Sequence, residues 1–400
     1  MANKTLTGPK GFRIAAVKAG IKASGNLDLG LIVADLPCRV GATFTTNKVV
    51  GAPVEVTREH IKGGRAQAIF VNAGNSNTCT GARGRRDADT ICREVARRVS
   101  VNPQDVLVCS TGVIGHYLPM EKVCRGIAQA GSKLSVSAQS SRQFARAILT
   151  TDTKTKMSHR TVRLGSKTAQ IAGCAKGSGM IAPNMATMLA FITTDININS
   201  TLLQRAIKQA VNVTFNKVSI DNHTSTSDTA IVLASGLAGN KNITRGGAEY
   251  ERFAEALYMV CDDLARQIAA DGEGATCGVT VTVTGAATGR DGVKALRAIV
   301  DSPLVRTAFN GADPNWGRII SAVGYSGAKF DPDNLTCKIA GTTVYRKGRP
   351  SRFDAGKLTR KMKAKNWQVN VDLGVGMFSD FCYTCDLSRE YITINADYHT

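Results

Sequence analysis

The chain has 400 residues, 43% of them hydrophobic and 20% charged, so it has material for a packed interior and falls outside the disordered class. No apolar run approaches the eighteen or so residues of a membrane-spanning helix, and MANKTLTGPKGF lacks a hydrophobic signal core, so a soluble cytoplasmic protein is expected. A formal charge of +20 would draw anionic metabolites or nucleic acid, while eleven cysteines, an odd number set mostly singly in apolar segments, read as small core hydrophobes.

In the first half, strand-like segments at 31–34, 67–72 and 105–110 alternate with helical patterns at 87–99, 119–130 and 139–149. Six arginines lie between Arg83 and Arg98, but apolar residues at 88, 91, 92, 95 and 99 share one helical face and leave the arginines in solvent. VLVCS reads as a strand that ends in a turn at Thr111 and Gly112, where a hydroxyl and a backbone N–H would point into a cleft.

The densest chemistry lies in Lys176 to Asp195, KGSGMIAPNMATMLAFITTD. Gly177 and Gly179 allow sharp turning or close approach, Pro183 biases Ala182 towards extended geometry, and MLAFITTD suits a buried strand. Between the turn and the strand, Thr187 follows the small residue Ala186. If the Ala186–Thr187 bond were cut, Thr187 would carry a free α-amine, and a threonine hydroxyl activated by its own amine is a known nucleophile. No histidine base is then needed, which suits a chain with five histidines and no metal signature.

Further on, Leu202–Val213 and Ala248–Ala270 have helical periodicity, the second with Thr244 as expected N-cap and Gly272 just past its end. GVTVTVTGA reads as a strand, Val293–Val300 begins another helix, and INADYHT reads as strand-like almost to Thr400. Nine basic residues between Arg346 and Lys365 face one acid, Asp354, with only Tyr345, Phe353 and Trp367 in or beside them, so a solvated face is favoured over a nucleic-acid footprint. Cys382 and Cys385 form a CxxC without the second pair that a structural zinc requires, and no metal is expected.

KGSGMIAPNMATML closely resembles the self-cleaving motif of the ornithine acetyltransferase family, the arginine-biosynthesis enzymes that move acetyl from N2-acetylornithine to glutamate. The likeness spans nearly the whole chain, through GFRIAAVKAGIK, TTNKVVGAPV, NAGNSNTCTG, STGVIG, TTDT, DNHTSTSDT, DGEGAT, DPNWGRI and TCDLSREYITINADYHT. It implies an α/β layered sandwich of mixed sheets flanked by helices, self-cleaved into an α chain of residues 1–186 and a β chain of residues 187–400 that stay together in a heterotetramer of two of each.

The resemblance also assigns a site. Thr187 becomes the nucleophile, Thr111 and Gly112 the oxyanion hole, and Thr150, Lys176, Thr187, Glu273, Asn395 and Thr400 the substrate positions. A zwitterionic ligand suits them, with Lys176 meeting a carboxylate, Glu273 a side-chain ammonium and Asn395 an amide or carboxylate. Transacetylation needs no cofactor, and acetyl-CoA is a possible second donor. The sequence departs from the family at Thr155, where proline is common, and at His223, where an acid is common. An N-terminal-nucleophile amidase or aminopeptidase, and more distantly a basic RNA-binding protein, remain as alternatives.

Overall fold

In the computed structural model, residues 4–182 and 188–397 are described. Ala186, Thr187 and Thr400 lie outside them. Eight strands form a first mixed sheet: β1 Phe12–Val17, β2 Leu29–Phe44, β3 Arg65–Asn75, β4 Val106–Val113, β5 Lys156–Leu164, β6 Lys167–Lys176, β7 Leu189–Thr194 and β8 Thr229–Ala234. Its order is β4-β3-β2-β8-β7-β6-β5, with β1 added against β2. The long β2 makes this possible: Leu29–Val33 pair with β3, Arg39–Phe44 pair with β8, and the register shifts between them around Pro37, which has no N–H to donate.

The central strands β7, LAFITT, and β8, TAIVLA, are buried at every position because both faces of the sheet are covered there, whereas the edge strand β5, KMSHRTVRL, carries polar residues and is partly exposed. Leu29, Leu31 and Val33 face the helices Gly81–Val99 and Met120–Ser132, whereas Ile32 and Ala34 share a core with Phe144 of the helix Ala138–Ala147. At the other end of the sheet, Ile171, Ile192 and Val232 pack beneath the helices Ser200–Asn212 and Ala248–Ala270. A second sheet holds β9 Gly278–Ala286, β10 Thr336–Ile339, β11 Thr342–Arg346, β12 Arg349–Pro350, β13 Asn366–Asp372 and β14 Phe378–Cys385, in the order β12-β11-β10-β13-β9-β14. Val281, Val283, Val369 and Val371 of this sheet form its core with helices that include Gly289–Val300.

Several local expectations change. The helix Ala248–Ala270 begins at Gly247, which makes no side-chain cap, so Thr244 is not its N-cap. The helix expected from Val293 starts earlier, at Gly289, because Thr288 Oγ1 accepts the Asp291 N–H and opens it there. The tail is a helix, Arg389–Asp397, and not a strand. Its β-branched residues suggested extension, but a helix satisfies its own backbone where a strand needs a partner edge. Cys382 and Cys385 lie in separate cores, Cys382 with the second sheet and Cys385 with the first, so Cys382 also has a packing role. On the helix Gly81–Val99, Ala88, Ile91, Cys92 and Val95 are buried, while Arg85 pairs with Glu59 at 2.5 Å and Arg97 with Glu94 at 2.9 Å.

Candidate active site

Strand ends, loops and the C-terminal helix meet at one pocket of about 250 Å³. Its walls include Thr111, Gly112, Thr150, Lys176, Glu273 and Asn395, residues spread over most of the chain. Ser76, Gly179, Met180, Asp221, His223, Ser225–Ser227 and Tyr391 complete much of the remainder.

Thr111 and Gly112 lie near the C-terminal end of β4, beside the place where β3 shifts register at Gly74 and Asn75. Gly112 has φ +128°, and a Cβ on it would fall 2.4 Å from the carbonyl carbon of Gly74. Only glycine fits there, which leaves a half-buried stretch of backbone at the pocket wall next to the buried Thr111.

Lys176 ends β6 and is 2% exposed, so its ammonium requires partners. Nζ donates to Thr150 Oγ1 at 2.8 Å, lies 3.5 Å from Thr111 Oγ1, and has Asp152 Oδ2 behind it at 3.9 Å. Asp152 is itself buried and also meets Lys156 at 2.6 Å, which meets Asp271 at 2.6 Å in turn. Charges therefore alternate along Asp271, Lys156, Asp152 and Lys176, and the row ends at the pocket. Burial pushes the Lys176 pKa below its usual value, with Asp152 opposing. Burial would also raise Asp152, but Lys176, Lys156 and the Gly177 N–H hold it down at about 2.

Glu273 follows the long helix, and its N–H donates to Ser178 O at 2.9 Å. Gly179 packs against the Glu273 carboxylate so closely that a Cβ would come within 2.3 Å of it. The second glycine of KGSGM is thus required by this approach, and the left-handed residue is Met180, with φ +56°. Asp221 pins the same segment by accepting the N–H groups of Met180 at 2.5 Å and Ile181 at 2.8 Å. The C-terminal helix docks on the turn after Glu273. Ser388 Oγ donates to Gly274 O at 2.6 Å, and Asn395 Nδ2 donates to Glu273 Oε2 at 2.8 Å. Gly274, at φ +67°, makes room, because a Cβ there would fall 2.5 Å from Tyr391 N.

This is a pocket with a buried cation and two hydroxyls on one side and a carboxylate with an amide on the other, fitting for a small amino acid derivative. His223 stands exposed at its wall, whereas Thr155 is exposed and is not among the lining residues. Sequence reasoning did not single out Asp152, Asp221 or Tyr391. The first two lie inside the motifs TTDT and DNHTSTSDT, which were the available signal.

Residues 13–400 match the ArgJ family model. The chain belongs to the ArgJ family. It is similar to the arginine biosynthesis bifunctional protein ArgJ of Caldanaerobacter subterraneus, 46% identical over 396 residues, and to that of Lactococcus lactis, 44% identical over 394 residues, with 98% of each chain covered in both cases. A solved ArgJ chain from Bacillus halodurans is 40% identical, with a TM-score of 0.49 over 52% of this chain and 97% of that one. Among the described residues, no helix is long and apolar enough to cross a membrane, and no three His, Cys, Asp or Glu side chains form a metal group.

Proposed function

We propose that this chain, an acetyltransferase of arginine biosynthesis, transfers acetyl from N2-acetylornithine to glutamate through an ester on Thr187. The observation that carries the reading is how the chain is held on both sides of Ala186–Thr187. Met180 and Ile181 are fixed by Asp221, and Met188 N donates to Asp228 Oδ1 at 2.7 Å beside the pocket residues Ser225–Ser227. Both anchored stretches thus stand at or beside the cavity walled by Thr111, Gly112, Thr150, Lys176, Glu273 and Asn395, which supports a role there for the intervening Thr187.

Thr187 attacks the acetyl carbonyl, its α-amine takes the hydroxyl proton, and ornithine leaves with that proton. Thr111 and the Gly112 N–H stabilise the tetrahedral oxyanion, with the Lys176 ammonium next to them. Glutamate then attacks the ester and restores the hydroxyl. Glu273 holds the side-chain ammonium of the donor, and Asn395 and Thr400 complete the binding positions.

The same threonine first cuts its own chain, giving residues 1–186 and 187–400. The fold supports their staying together, because β7 and β8, which follow the cut, lie between β2 and β6, which precede it. Hydrogen-bonded ladders on both sides join the halves, as suits a heterotetramer of two α and two β chains. Relatives are named bifunctional. Their name supports a second activity, in which acetyl-CoA acylates Thr187 and glutamate again accepts.

The test is direct. Purified wild-type protein should run as two bands in denaturant, elute as one species without it, and form acetylglutamate from acetylornithine and glutamate. Thr187→Ala should remain whole and inactive, and its normal cleavage or activity would exclude Thr187. Free acetate in place of acetylglutamate would favour an amidase. Thiol release with acetyl-CoA and glutamate reads the second activity.

A further inference from the structure

A threonine whose base is its own α-amine lacks that base until the chain is cut. In the uncut chain the nitrogen of Thr187 is an amide, so self-cleavage needs another proton acceptor. Asp228 is the strongest candidate, because it holds the residue that follows Thr187 in the chain. The parallel strands β7 and β8 pair Leu189 with Thr229, which sets Asp228 level with Met188 at the pocket end of the sheet. Its Oδ1 accepts the Met188 N–H at 2.7 Å. Its Oδ2 is fully buried and has no hydrogen-bond partner among the described residues.

A buried carboxylate oxygen without a partner is uncommon and calls for a physical reason. The neighbouring acids do not share it: Asp152, Asp221 and Asp271 each engage both oxygens. Oδ1 holds the N–H of Met188, the residue that follows Thr187 in sequence.

We propose that Asp228 is the proton acceptor of self-cleavage, taking the hydroxyl proton of Thr187 on Oδ2 as that hydroxyl attacks the Ala186 carbonyl. The inference rests on the self-cleaving reading of Thr187. The new bond joins Thr187 Oγ1 to the Ala186 carbonyl carbon, and the bond that breaks joins that carbon to the Thr187 nitrogen. Asp228 returns its proton to the departing nitrogen, which becomes the free α-amine. Water then hydrolyses the Ala186 ester, giving the Ala186 carboxylate and the free hydroxyl. Burial raises the Asp228 pKa well above the usual carboxylate range, against the Met188 N–H and Lys176, so its ionised form is a stronger base than a solvated aspartate.

The experiment follows full chains made by cell-free synthesis, scoring cleavage against time on denaturing gels for wild type, D228N and D228E. Asparagine keeps the shape and an acceptor for Met188 but cannot take the proton, so cleavage should slow by about 10²- to 10⁴-fold, in the range of general-base effects. Glutamate keeps the carboxylate but overfills the site, so a role in packing alone ranks D228N faster, whereas a role in proton transfer ranks D228E faster. A D228N chain that cleaves at the wild-type rate, or faster than D228E, overturns the proposal. Arrest in both is resolved with D228A and added formate: restored cleavage supports it, and none overturns it. A wild-type chain that stays whole would instead overturn the self-cleaving reading itself.

Discussion

Asn395 Nδ2 donates to Glu273 Oε2 at 2.8 Å, and this bond joins the last helix of the chain to the turn that follows its longest one. The helix Arg389–Asp397 has no buried residue, so it is held over the pocket by polar contacts and by the space at Gly274 rather than by a core. A carboxylate carrying one amide donor retains its other oxygen for a substrate ammonium.

Glu273→Gln should therefore raise the KM for acetylornithine by about 10- to 100-fold, the size of a lost charge-assisted hydrogen bond, with self-cleavage near the wild-type rate. Glutamine keeps the shape and an acceptor for Asn395. Steady-state kinetics with varied acetylornithine check this, and an unchanged KM would remove Glu273 from the donor subsite.

Truncation after Ser388 separates docking from folding. Since the missing helix buries no side chain, the unfolding midpoint should move by only a few degrees, whereas KM should rise because Asn395 is lost. Cleavage should continue. Thermal unfolding, gel analysis and transfer assays on one preparation decide it, and wild-type kinetics would show that the tail lies outside the site.

Thr111→Ala should slow both self-cleavage and acetyl transfer by about 10²- to 10³-fold, as for the loss of a single oxyanion donor. Both reactions pass through a tetrahedral intermediate at the same hydroxyl. A variant slowed in one reaction only would divide the two oxyanion sites.

Asp152 makes stability pH-dependent. Its pKa of about 2 in the folded chain lies below the ordinary 3.8, so its contribution is complete above about pH 4 and is lost as pH falls towards 2. Asp152→Asn leaves Lys156 and Lys176 buried with a single aspartate and should cost about 3 to 5 kcal/mol at neutral pH. The acid limb between pH 4 and 2 should also flatten. Urea midpoints across that range measure both effects, and an equally steep limb in the variant would place the acid sensitivity elsewhere.

The sequence alone determined what depends on neighbours along the chain. Runs such as QAIFVN and MLAFITTD were legible as strands, and the spacing of Ala88, Ile91, Cys92 and Val95 as a helix face, because each pattern repeats within a few residues. Motifs such as KGSGM and TTDT identified the family, and with it the positions of the candidate site. Tertiary structure decided what depends on residues far apart. It showed that Gly179 is small to admit Glu273, that Lys176 is buried at the end of an alternating row reaching Asp271, and that the β-branched tail closes as a helix on Gly274. It also set β7 and β8 between strands of the first half, a pairing that no local periodicity encodes. Local patterns fix which face of an element is apolar, but which surfaces meet is settled only when the whole chain packs at once.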